Sequence, residues 1–111
     1  MEVIAMMQGD QYPLGISLVY KADGTPVRDV DVEDVEITIG PLRATLSAGQ
    51  LSYDSALNLW IFPVEQAQTL ELWPKHYRAQ ARIVWPGGYV EGTDLGRVRL
   101  IESNSKEVLT V

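Results

Sequence analysis

Cysteine is absent from this 111-residue chain, and histidine and phenylalanine each occur once. Without thiols there is no disulfide framework, no thiolate metal site and no cysteine nucleophile, and an intracellular origin fits. With His76 as the sole histidine, a two-histidine metal site is excluded and a Ser-His-Asp triad would have to be built around that one residue. His76 stands between Lys75 and Tyr77 at an expected turn. The strand-turn-helix serine motif that would face it is missing, so it reads as a surface histidine. Long apolar runs are lacking too: nothing approaches the ~20 residues of a membrane span, and no basic segment precedes the short apolar stretch Val3 to Met7, so no standard signal is expected. Basic residues are scarce, nine against fifteen acidic ones, for a net charge of −6. Such a chain repels a phosphate backbone and an anionic lipid surface, which argues against nucleic acid and membrane as partners.

What the chain has in quantity is strand-length alternation. Tyr77, Ala79, Ala81, Ile83 and Trp85 alternate with Arg78, Gln80 and Arg82, then meet Pro86-Gly87-Gly88. Period two sends one set to a core and the other to solvent, and the glycines can take the positive φ of a tight hairpin. Further strands are expected at Glu2 to Gln8, Tyr12 to Tyr20, Val35 to Ile39, Leu42 to Leu46, Leu51 to Asp54, Leu59 to Val64 and Tyr89 to Ile101. Pro13, near the start of its strand, points to an edge or an entry position, because proline cannot donate to a ladder. The strand after Leu59 is apolar on both sides and should be covered on both faces. Gly92 and Gly96 should each bulge or bend the last strand. Glu65 to Leu70 suits a single helical turn crossing between sheets.

Seven to eight short, mostly antiparallel strands with turn signals every ~8 to 12 residues match an all-β, immunoglobulin-like sandwich; a small β-barrel is the alternative. Residues 1–101 form the expected sandwich, and residues 102–111 a polar tail or docking segment ending in Val108-Leu109-Thr110-Val111. Tyr77, at the start of its strand after a corner, is placed for the hydroxyl-to-backbone tie of such sandwiches.

Candidate chemistry is thin. The acidic run Asp29, Asp31, Glu33, Asp34, Glu36 could gather a hard cation, but it lacks the mid-loop glycine and final glutamate of a calcium loop and reads as a solvated loop. No glycine cluster opens a helix or precedes Lys-Ser/Thr, so none cradles phosphate. The residues point to no catalytic set, no metal and no cofactor. Trp60 and Trp85 lie in expected strands and read as core, whereas Trp73 beside Pro74 suits contact with a partner. Tyr89, Val108, Leu109 and Val111 complete the candidate contact residues, the apolar ends being able to add a strand to a neighbour's edge. The alternative use of Trp73 and Tyr89 is stacking on a sugar, such as a cell-wall polysaccharide.

Gln8-Gly9-Asp10-Gln11-Tyr12-Pro13-Leu14, Asp34 to Gly40, the Tyr53-Asp54 to Trp60-Ile61-Phe62-Pro63 hairpin and Ser105 to Leu109 together carry a resemblance. The chain resembles small structural proteins of phages and prophages of Gram-positive bacteria, and its plan resembles the N-terminal immunoglobulin-like domain of phage baseplate upper proteins. The corner Trp73-Pro74-Lys75-His76-Tyr77 departs from that group's pattern by lacking its glycine. The long receptor-facing region of baseplate proteins is not present in these residues. The resemblance implies a non-enzymatic tail, baseplate or capsid component, a virion or host-cytoplasm location, partners among virion proteins or further copies of itself, and no catalytic residues.

Overall fold

A computed structural model describes residues 3–110. Its strands are β1 (Val3–Met7), β2 (Tyr12–Ile16), β3 (Asp34–Ile39), β4 (Leu42–Thr45), β5 (Ser52–Asp54), β6 (Leu59–Val64), β7 (His76–Val84) and β8 (Val90–Ile101), with one short helix, α1 (Gln66–Glu71), between β6 and β7. They form a five-stranded sheet ordered β1-β8-β7-β3-β4 and a three-stranded sheet ordered β2-β6-β5. β1 runs parallel to β8, and the remaining pairs are antiparallel. In this immunoglobulin-like order β8-β7-β3 and β2-β6-β5 make the two facing layers, and no ladder closes them into a barrel among the described residues.

Turn chemistry sets the connections. Gly40 (φ 56°) and Pro41 form a two-residue hairpin loop closed by the Ile39–Leu42 pair. Gly87 and Gly88, both at positive φ, turn β7 into β8, where the Trp85 N–H donates to Tyr89 O at 2.8 Å. The expected crossing helix is α1, which carries the chain from the small sheet to the large one. Pro13 does lie on an edge strand, directly opposite Pro63, where neither residue is asked for an N–H.

Alternation decides the core. Tyr77, Ala79, Ala81 and Ile83 of β7 are buried and His76, Arg78, Gln80 and Arg82 exposed. The β7 face packs with Val35, Ile37 and Ile39 of β3 against Trp60, Phe62 and Val64 of β6. Trp60 is fully buried, and its Nε1–H donates to Val27 O at 2.9 Å, which pins the loop before β3 onto the end of the sandwich. Burying an indole this way serves both its large apolar area and its one donor.

Three local expectations change. The second strand stops at Ile16 rather than Tyr20, because Ile16 pairs with Trp60 and β6 ends one residue further at Leu59. The chain then makes its own narrow turn, with Val27 N–H donating to Leu18 O and Tyr20 N–H to Thr25 O. β6 is covered on one face only: Leu59 and Ile61 are half-buried and Pro63 is exposed. Of the two glycines in β8, only Gly96 bends the strand. It holds φ 108° beside a register shift at Ala79/Gln80, while Gly92 keeps its place opposite Arg82.

Candidate interaction surface

The most exposed large apolar side chain among the described residues is Trp73, at 79%, and its backbone is held in place. It follows α1 by two residues and precedes the β7 start, where the Tyr77 hydroxyl donates to Trp73 O at 2.6 Å. This is the tyrosine tie of immunoglobulin-like sandwiches. Tyr77 is itself fixed: its ring packs on Gly40, at a point where a Cβ would collide with it. The corner is further secured from the turn after β1, since buried Gln8 donates through Nε2 to Leu72 O at 2.7 Å. Thr69, also buried, accepts from Gly9 N–H at 2.9 Å. A rigid backbone thus carries an unburied indole, an arrangement that limits the entropy lost when the ring is covered.

Tyr89, 75% exposed, sits at the other end of β7, on the β7–β8 turn. The nine residues of β7 separate it from Trp73 by roughly 30 Å, so the two rings do not share a stacking platform. Trp85, near Tyr89, stacks on Tyr20 with centroids 5.3 Å apart.

Residues 102–110 hold no helix or strand. Val108 and Leu109 are exposed side chains on an anchored backbone: the Gln66 side chain accepts from Leu109 N–H at 2.8 Å and donates to Leu109 O at 2.6 Å. One amide side chain thereby does for Leu109 what a neighbouring strand would. Gln8 Oε1 accepts from Ser103 N–H at 3.1 Å and from the Lys106 ammonium, tying the tail to the corner already described. Val111 lies outside the described residues.

The acidic run is dispersed by the fold. Asp29–Asp31 form one 3-10 turn, with Asp31 accepting from Arg28 N–H at 3.0 Å and pairing with its guanidinium. Asp34 accepts from Ser47 N–H, the Ser47 hydroxyl and Val35 N–H, and Glu36 pairs with Arg43 across the β3–β4 hairpin. For Asp34, partial burial pushes the carboxyl up, but the Ser47 and Val35 donors outweigh it and hold it below the usual carboxylate value. For Asp31 the Arg28 amide is the chief cause of a lowered value. Among the described residues no three His, Cys, Asp or Glu side chains are placed to hold a metal ion, and no helix is long and apolar enough to cross a membrane. An apolar groove runs between β2 and β8, lined by Ile4, Leu14, Gly15, Leu59 and Leu95 with Arg97 at its rim. Among the described residues Arg97 is its only ionisable lining group.

His76 is not in a turn but begins β7, exposed and opposite Arg99. Beside it Arg78 lies opposite Arg97, a constellation that reading the chain alone does not find. Its signal is present as Arg78-x-x-x-Arg82 and Arg97-x-Arg99, spacings that put each set on one strand face, yet only the register shows that cations meet cations. Comparison of the chain with protein-family models, with curated proteins and with solved structures finds no match.

Proposed function

We propose that this protein is a non-enzymatic structural or accessory component of a phage or prophage virion, associated with the tail, baseplate or capsid, and that it acts through protein–protein contacts. The observation that carries the contact reading is Trp73: a 79% exposed indole on a corner whose carbonyl is held by Tyr77 at 2.6 Å. Tryptophan is the residue most often found at the energetic centre of protein interfaces, and preorganisation lowers the cost of covering it. The virion assignment rests on the sequence resemblance, which spans both the strands and the tail. The polysaccharide alternative has less behind it, because Trp73 and Tyr89 stand at opposite ends of β7 and each offers one ring.

Particles sedimented from cells carrying the native gene cluster should contain the chain in fixed stoichiometry. Trp73→Ala should remove it from those particles while leaving its melting midpoint in place, since the side chain is largely in solvent already. Recovery of the wild-type chain only in the particle-free supernatant rejects the virion reading. Full incorporation of the Trp73→Ala chain rejects Trp73 as the contact.

A further inference from the structure

The outer face of the five-stranded sheet concentrates cations in a chain that is otherwise acidic. Apart from Arg28, every arginine projects from it: Arg43 on β4, Arg78 and Arg82 on β7, Arg97 and Arg99 on β8. At the end near β1, Arg78 lies directly opposite Arg97 and His76 directly opposite Arg99. Leu100 N–H donates to Lys75 O at 2.9 Å and Gly40 N–H to Arg78 O at 3.0 Å. By alternation these bonds make 78–97 and 76–99 the non-hydrogen-bonded positions, where cross-strand side chains come closest. Like charges there work against the sheet. The ion pairs of the described residues use Lys21, Arg28, Arg43 and Lys106, so among these residues no carboxylate answers Arg78, Arg97 or Arg99. Half-exposed apolar groups, Met7 and Ile101, border the cluster on β1 and β8.

The complementary surface is at the opposite end of the same molecule. Where β7 finishes, Glu33 N–H donates to Val84 O at 2.8 Å, which fixes the segment Asp29-Val30-Asp31-Val32-Glu33 at that end. Asp29 and Glu33 are exposed and take part in none of the ion pairs, and Val30 between them is 75% exposed. Arg78 and Val84 are six residues apart along β7, about 20 Å. That is more than twice the ~8 Å over which charges act in physiological salt, so a chain does not neutralise its own arginines with its own acidic end. A second copy set end to end can, with Val30 meeting the Met7–Ile101 border.

We propose that the Arg78–Arg97–Arg99 face binds the Asp29–Glu33 segment of a second copy of this chain. The contact joins two different surfaces, so it leaves one of each open on every pair and propagates into a ring or a filament. It concerns the face of the sheet rather than the Trp73 corner, and it is tested on the purified chain alone, so it stands or falls separately from the virion reading.

Light scattering after size exclusion, up to about 1 mM chain, measures the mass. At about 0.05 M salt it should climb above the 12.4 kDa monomer with concentration, and at about 0.5 M salt it should return to monomer. The double variant Arg97→Glu, Arg99→Glu should be monomeric throughout with a melting midpoint equal to or above wild type, because it removes the facing cations. Should that variant not fold, Arg97→Gln with Arg99→Gln keeps the test. Asp29→Lys with Glu33→Lys should likewise be monomeric, and an equimolar mixture of the two charge-reversed chains should associate again. A wild-type chain that stays monomeric at low salt over the whole range overturns the proposal. So does association that survives either reversal, or a mixture that fails to restore it.

Discussion

The two ends of β7 treat charge in opposite ways. Where the strand finishes, Asp31, Asp34 and Glu36 each have a donor, Arg28, Ser47 and Arg43 respectively, and of that acidic run Asp29 and Glu33 alone stand outside the ion pairs of the described residues. Where it starts, Arg78 faces Arg97 and His76 faces Arg99. Both ends rest on the same buried stripe of Tyr77, Ala79, Ala81 and Ile83, so burial does not distinguish them. Answered charges are explained by the fold that holds them. Unanswered ones, placed where cross-strand repulsion is greatest, lower stability without giving the sheet anything in return, and call for a partner.

The comparison breaks most severely at the support beneath the arginine end. Gly40→Ala puts a Cβ on a residue at φ 56° and into the Tyr77 ring, which holds the corner. Strain and ring displacement together should cost about 2–3 kcal/mol in denaturant unfolding. At the answered end, Asp34→Ala removes the acceptor for Ser47 and Val35 and should cost about 1–2 kcal/mol at neutral pH. The native Asp34 carboxyl lies below its ordinary value, so its contribution is present above the unfolded value and is lost as pH falls through the folded one. Wild-type melting midpoints should therefore drop more between about pH 5 and pH 2 than those of Asp34→Ala, and equal slopes would remove Asp34 from the account. The smallest effect has the opposite sign. Arg97→Glu turns the Arg78 contact attractive and should raise unfolding free energy by about 0.2–1 kcal/mol; a loss would show that the facing arginines are not in conflict.

Much of this was legible because it is local. The β7 alternation, the Pro86-Gly87-Gly88 turn, the short crossing helix and the Tyr77 corner each follow from a few neighbouring residues. What lies between strands was not. Tyr12 to Tyr20 alternates throughout, yet the ladder ends at Ile16 because its partner β6 runs out, a fact held in residues far along the chain. Leu59 and Ile61 are apolar enough to be covered, but among the described residues no third layer lies over the small sheet. Trp73 and Tyr89 stand out in the sequence as aromatics beside turn residues, whereas their separation by the whole of β7 belongs to the fold. The facing arginines needed the register itself.

The bend at Gly96 works as a change of phase. Ahead of it Glu91 and Thr93 pair with Ile83 and Ala81 on the inner side, and beyond it Val98 pairs with inner Tyr77 while Arg97 and Arg99 turn outward. Leu95 is the extra residue that makes the swap. In a chain one residue shorter here, Arg97 would oppose Tyr77 and both Arg97 and Arg99 would point into the core, with Val98 and Leu100 in water. A single inserted residue thus separates a sheet that buries its arginines from one that displays them, and the outward charge of this protein hangs on chain length at one position more than on the identity of any arginine.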